Sequence, residues 1–163
     1  MALNVEFYKS NEWNISAAPG SGGVGGTETT TSVGATLGDV FPEGVSDYIG
    51  QDARLRFQKI FVKNAGADIT NPKIFLNDVK HPGQIQIFTG SATDTGATPS
   101  SYPDGLSASD FIEPIGLVNA TGLGIDNPLA TDASFSLWIK QSIPANLPSE
   151  VGAATTIGII GEV

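Results

Sequence analysis

The chain has 163 residues, a length that suits one ordinary domain with a self-sufficient core. Eight Lys and Arg stand against 17 Asp and Glu, and a net charge of −9 argues against binding nucleic acid through clustered phosphate contacts. The absence of cysteine excludes disulfides and thiolate metal sites, and no run approaches the ~18 apolar residues of a membrane span.

Charged residues make up 15% of the chain, well below the usual quarter, while 20 Gly and 10 Pro punctuate short apolar runs. That texture predicts an all-β fold, a single antiparallel β-sandwich over residues 1–163 of immunoglobulin-like or jelly-roll-like type. In chain order, Leu3, Val5 and Phe7 alternate with Asn4, Glu6 and Tyr8 as a first strand, and Trp13–Ile15 reads as a short second piece. The tract Pro19–Gly26 is too rich in glycine to hold a regular element, and Thr27–Val33 is β-branched enough for a strand. Residues 1–33 therefore read as an extended arm or a peripheral hairpin.

Residues 37–53 look irregular, with a helical turn near Val45–Ile49. The following strand, Arg54–Asn64, slips in phase: Leu55 and Phe57 fall on one side, Ile60 and Val62 on the other. A β-bulge at Gln58-Lys59 would bring all four to one face; the alternative is a strand buried on both sides. Lys73–Leu76 and Gln84–Phe88 read as short strands, residues 89–110 as a long surface loop, and Phe111–Val118 as an edge strand because Pro114 bars a central position. Phe135, Leu137 and Ile139 alternate with Ser136, Trp138 and Lys140 in the clearest half-buried strand, and Thr155–Glu162 closes the domain. Seven to nine strands result.

No catalytic set emerges, and none of the chain's residues is assigned to catalysis, a cofactor or a metal. Gly20-Ser-Gly22-Gly-Val-Gly25 spells a dinucleotide fingerprint, but Thr27-Glu-Thr-Thr-Thr31 after it is a poor helix, so the amides have no helix end to aim. His81, the single histidine, sits in a turn-like His81-Pro82-Gly83 setting without a nucleophile or orienting acid in view. Asp94, Asp104, Asp110, Asp126 and Asp132 are scattered without calcium-loop spacing. Trp138 falls on the polar phase of its strand, which suggests first an outward interface anchor, next a second core layer, and last a sugar platform. With Trp13, Gly22, Val24 and Thr27 of the glycine-rich region it forms the expected interface set.

Four stretches resemble small virion proteins of tailed bacteriophages. They are Leu37-Gly-Asp-Val-Phe41 with Gly50-Gln-Asp52, the strand Arg56–Asn64, the strand and turn Leu137–Ala145, and the Ile-Gly-Glu162 ending. They cover about a third of the chain in matching order, with little match over residues 84–130; Phe57 stands where such strands carry Tyr, and Asn146 where Gly commonly follows Pro-Ala. The resemblance implies a virion structural protein without catalysis. Acidity and the glycine-rich arm favour a capsid decoration protein on the outer shell surface. It would contact the major capsid protein and neighbouring copies of itself, a local three-fold being a natural arrangement, without nucleic acid or membrane. A tail or baseplate component, or a carbohydrate-binding sandwich using Trp138, Trp13 or Tyr102, is the alternative. With no signal-like N-terminus, synthesis in the host cytoplasm is expected. On the arm reading, deleting residues 1–26 leaves the sandwich folded.

Overall fold

The longest strands are the two whose apolar residues fall on both faces. In the computed structural model, which describes residues 3–13, 25–41, 53–89, 102–145 and 155–163, seven strands form: β1 (Val5–Ser10), β2 (Glu28–Ser32), β3 (Arg54–Asn64), β4 (Thr70–Asn77), β5 (Ile85–Thr89), β6 (Ser134–Ile143) and β7 (Thr156–Glu162). They make a five-stranded sheet, order β2-β1-β3-β6-β5, and a two-stranded sheet, β4-β7, all antiparallel. This is the predicted all-β sandwich. The expectations for Gly22, Val24, residues 14–15 and the turn at Val45–Ile49 lie outside the described residues.

The core fills the space between the sheets. Ile60 and Val62 of β3, Ile85 and Ile87 of β5, and Phe135, Leu137 and Ile139 of β6 meet Ile74 and Leu76 of β4 and Ile157 of β7. Each set takes alternate positions, as a strand with one face on a core requires. The bulge expected at Gln58-Lys59 is absent: β3 pairs β6 without a break from Arg54↔Ile143 to Lys63↔Ser134. The phase slip arises because both faces of β3 are buried, Phe57 on one and Ile60 on the other. That is the alternative reading of the strand.

Of the two readings of residues 1–33, the described residues 3–10 and 28–32 form an antiparallel pair, β1 with β2, rather than an extended arm. β1 lies against β3 over five paired positions, Val5↔Asn64 to Lys9↔Ile60, with β2 as the sheet edge, and Leu3, Val5 and Phe7 pack on the core. Removing residues 1–26 would strip β1 from β3 and expose that side of the core. The expectation that such a deletion leaves a folded sandwich is therefore corrected.

Two crossings stitch the sheets together. Val33 donates its N–H to Phe7 O; four residues on, Leu37 N–H reaches Thr155 O and Ile157 N–H reaches Ala35 O, carrying the chain from the first sheet onto the edge of β7. Helix α1 (Leu37–Val40), inside the stretch expected to be irregular, then buries Leu37 and Val40. On the opposite side Ile112 pairs with Ile87 at the edge of β5, and Ile115 and Thr121 bridge to Leu76 and Ile74 at the edge of β4. The expected edge strand Phe111–Val118 is instead this crossing, which ends in a 3-10 turn at Leu117–Asn119.

Two glycines of β7 are required by close approach. A Cβ at Gly158 would land in the ring of Phe75, its cross-strand partner, and one at Gly161 would strike Ile69. The Gly161 contact sits at the register shift between Thr70 and Lys73, where Asn71 takes φ 50° and Pro72 offers no N–H.

Candidate interaction surface

The outer face of the five-stranded sheet is the first place to look, because Trp138 projects there. It is not free. Trp138 is 0% exposed and packs with Phe57 and Phe111, flanked by Leu55, Phe88, Tyr102 and Leu106. The segment 102–111 lies across this face as a second aromatic layer: Tyr102 sits 4.8 Å from Phe57 and Phe111 5.6 Å from it, ring centre to ring centre. At its end the Ser107 hydroxyl and N–H both donate to Asp110 Oδ2 at 2.7 Å, and the Asp110 N–H donates back to Ser107 O at 3.2 Å, which closes the 3-10 turn Ala108–Asp110. The Ser107 hydroxyl and then its N–H hold the Asp110 carboxyl below the usual carboxylate range. Trp138 as an exposed interface anchor is thus corrected to second-layer core. Tyr102, engaged in the same cluster, offers no free stacking ring.

The basic run of β3 is likewise drawn inward. Arg56, Lys59 and Lys140 are all buried. The Arg56 guanidinium lies 4.9 Å over Phe41, Lys59 Nζ donates to Gly26 O at 2.9 Å, and Lys140 Nζ is faced by Tyr102 and Phe111 at 5.7 and 5.6 Å. Burying a cation is tolerable where rings and carbonyls replace water. The remaining cations of the run, Arg54 and Lys63, stand at opposite ends of β3, about 30 Å apart at the rise of an extended strand.

At the base of the β1–β2 connection, Asn11 and Thr27 close on each other: Asn11 N–H donates to Thr27 O and Thr27 N–H to Asn11 Oδ1, both at 2.9 Å. Gly26, at φ 89°, has no room for a Cβ against Asn11. Thr27 is exposed, while Trp13 is half-buried, packed on the core, with Lys9 Nζ 5.0 Å over its ring. Trp13 and Thr27 thus flank the β1–β2 connection, and Lys59, which donates to Gly26 O and lies 5.9 Å from the Trp138 ring, links this corner to the buried Trp138.

The sequence reading missed the most exposed apolar group. Between its two bridges to β4 the chain leaves the sheet at Gly116 (φ 69°) and turns through Leu117–Asn119. Asn119 Nδ2 donates to Ile115 O at 2.8 Å, and Ala120 N–H to Leu117 O at 3.2 Å, so the turn is held from inside. Leu117 is 59% exposed, Val118 95%, and Leu123 in the following loop 58%. Ile125, buried after the next turn, anchors the other end. A single exposed Leu needs no explanation, but here Leu117 and Val118 stand out on the turn before the Thr121 bridge and Leu123 on the loop after it. The signal was present as Leu117-Val118 and Leu123, masked by reading the run as a strand end.

A cleft of about 460 Å³ opens at the end of β3, β5 and β6, lined among others by Arg54, Gln84, Ser142, Ile143 and Pro144. Its polar groups are an arginine, an amide and a hydroxyl, which can hold a small polar group but include no acid–base pair. His81 is exposed in the neighbouring turn, whose Gly83 N–H is held by both carboxylate oxygens of Glu113 at 2.7 and 2.9 Å. Among the described residues no three His, Cys, Asp or Glu side chains gather to hold a metal, and no helix is long and apolar enough to cross a membrane. No family model, curated protein or solved structure matches the chain.

Proposed function

We propose that this protein is a non-enzymatic structural component of a tailed-bacteriophage virion, a decoration protein seated on the outer face of the major capsid shell. The observation that carries the reading is the loop presenting Leu117, Val118 and Leu123 to solvent on an otherwise acidic body. The phage-like stretches support it by where they lie. Those among the described residues fall in α1, the paired central strands β3 and β6, and β7, which frame the sandwich. The exposed loop belongs to residues 84–130, the part outside the resemblance. A shared body with its own contact loop suits a protein that docks on a particular shell. An acidic surface suits a position turned away from packaged DNA.

Docking of such a loop is dominated by a few buried apolar anchors. Val118→Asp should therefore abolish binding of the purified protein to shells stripped of it. Its folding stability should stay within about 0.5 kcal/mol, because the side chain touches solvent. Wild-type binding by this variant would refute the assignment of the loop.

A further inference from the structure

Sheet edges are templates for pairing, and proteins usually cover or blunt them. Most edges here are closed. Ile112 covers β5, the segment 115–129 covers β4 at Leu76, Ile74 and Ile69, and Ala35 covers β7 at Ile157. On β2, the edge of the larger sheet, Thr29 Oγ1 takes the Thr31 N–H and donates to Lys9 O on the side that faces β1.

In the β4-β7 sheet one stretch stays open among the described residues. Ile74 exchanges both its backbone bonds with Thr121 and Leu76 bonds to Pro114 and Gly116, so these residues turn away from β7. Their partners Ile159 and Ile157 then turn away from β4 in the same way, and Ile157 indeed donates to Ala35. By the two-residue period of the strand, the N–H and C=O groups of Ile159 and Gly161 point outward. Among the described residues nothing pairs with them. No lysine, proline or bulge of β7 guards this edge, and Ile160 between the two positions is only half-buried.

We propose that this edge pairs with the same edge of a second copy, antiparallel about a two-fold axis at Ile160, joining two β4-β7 sheets into one of four strands. The spacing selects that partner. With Ile160 facing Ile160 of the other copy, Ile159 falls opposite Gly161 and all eight outward groups of the two chains are satisfied. Gly161 adds no side chain of its own opposite the facing Ile159, and Glu162 falls opposite Gly158 rather than another acid. Ala35 closes the window at Ile157, and a copy of itself centred on Ile160 meets both Ile159 and Gly161, as an isologous contact does. The contact is small, so the dimer is weak in free solution. The inference does not rest on the virion reading, since the pairing occurs whether or not the protein sits on a shell.

The absence of cysteine makes the test clean. Facing residues of a non-hydrogen-bonded antiparallel pair have Cα atoms about 4.5 Å apart, within the range that a disulfide spans. Ile160→Cys in the full chain should therefore give a disulfide-linked dimer rapidly under mild oxidation. Glu162→Cys, whose two copies would stand roughly 14 Å apart along the strands, should cross-link at least about tenfold more slowly. Wild-type protein should also show reversible dimerisation by sedimentation velocity as its concentration approaches about 1 mM. Equal cross-linking rates for the two variants, or a wild-type protein that stays monomeric throughout, would overturn the proposal. Both cysteine positions lie on the half-exposed or exposed side of β7, and circular dichroism checks that the fold is kept.

Discussion

Truncating Trp138 separates a core residue from a surface anchor. The side chain is fully buried between β3 and the segment 102–111, in the cluster with Phe57 and Phe111. Trp138→Ala leaves a cavity that the flanking strands cannot close, and large aromatic truncations of this kind cost about 3–5 kcal/mol. With a urea slope of about 2 kcal/mol/M for a domain of this size, the unfolding midpoint should fall by about 1.5–2.5 M. Trp138→Phe should behave differently. Among the described residues the buried indole Nε1 has no hydrogen-bond partner, so removing it relieves a penalty of about 1–3 kcal/mol, which offsets much of the lost volume. The net change should lie within about 1 kcal/mol of wild type, the size usual for tolerated hydrophobic swaps. Urea titrations followed by far-ultraviolet circular dichroism measure both. An alanine variant less than about 1 kcal/mol destabilised would mean that Trp138 is not sealed by the segment 102–111, and would refute the two-layer account.

Gly158→Ala should destabilise by about 1–3 kcal/mol, because the new methyl group enters the Phe75 ring, and Phe75→Leu should relieve much of that cost in the double variant. Additive free energies from chemical denaturation would contradict the contact. The Asp68 carboxyl is held below its usual range by the Thr131 N–H and then the Thr131 hydroxyl, and Asp110 by Ser107. Because both folded-state pKa values lie below the unfolded value of about 3.9, their stabilisation is complete at neutral pH, fades as pH falls past that value, and is gone below the folded pKa. Asp110→Asn should flatten part of the acid-side loss of stability in a series of melts; an unchanged acid limb would contradict the cap.

The sequence is most legible where one face of a strand is polar. Gln84–Phe88 and Ser134–Lys140 placed Ile85, Ile87, Leu137 and Ile139 inward, and the structure has them there. The same alternation misled at Trp138, because opposite to the core means exposed only when nothing covers the other face. The cover comes from Tyr102, Leu106 and Phe111, in a segment whose Gly, Ser and Pro content reads as plain loop. Phe57, Phe88 and Trp138 were the available clue: three large rings on the polar phase of three neighbouring strands. Lys59 and Lys140 hid it, since charged residues there read as surface while their stems and ammonium groups in fact pack on rings. The apolar loop at Leu117 and Val118 was lost for the converse reason. Apolar residues after Phe111 and Ile115 looked like strand, and only the bridges at Ile115 and Thr121 show that the chain leaves the sheet between them.

The copy number of this protein in purified virus particles, counted against the major shell protein, tests the decoration reading most directly. The account predicts a number near parity with the shell subunit. A number far below parity would move the protein to the tail or a vertex, and its absence from the particles would contradict the account outright.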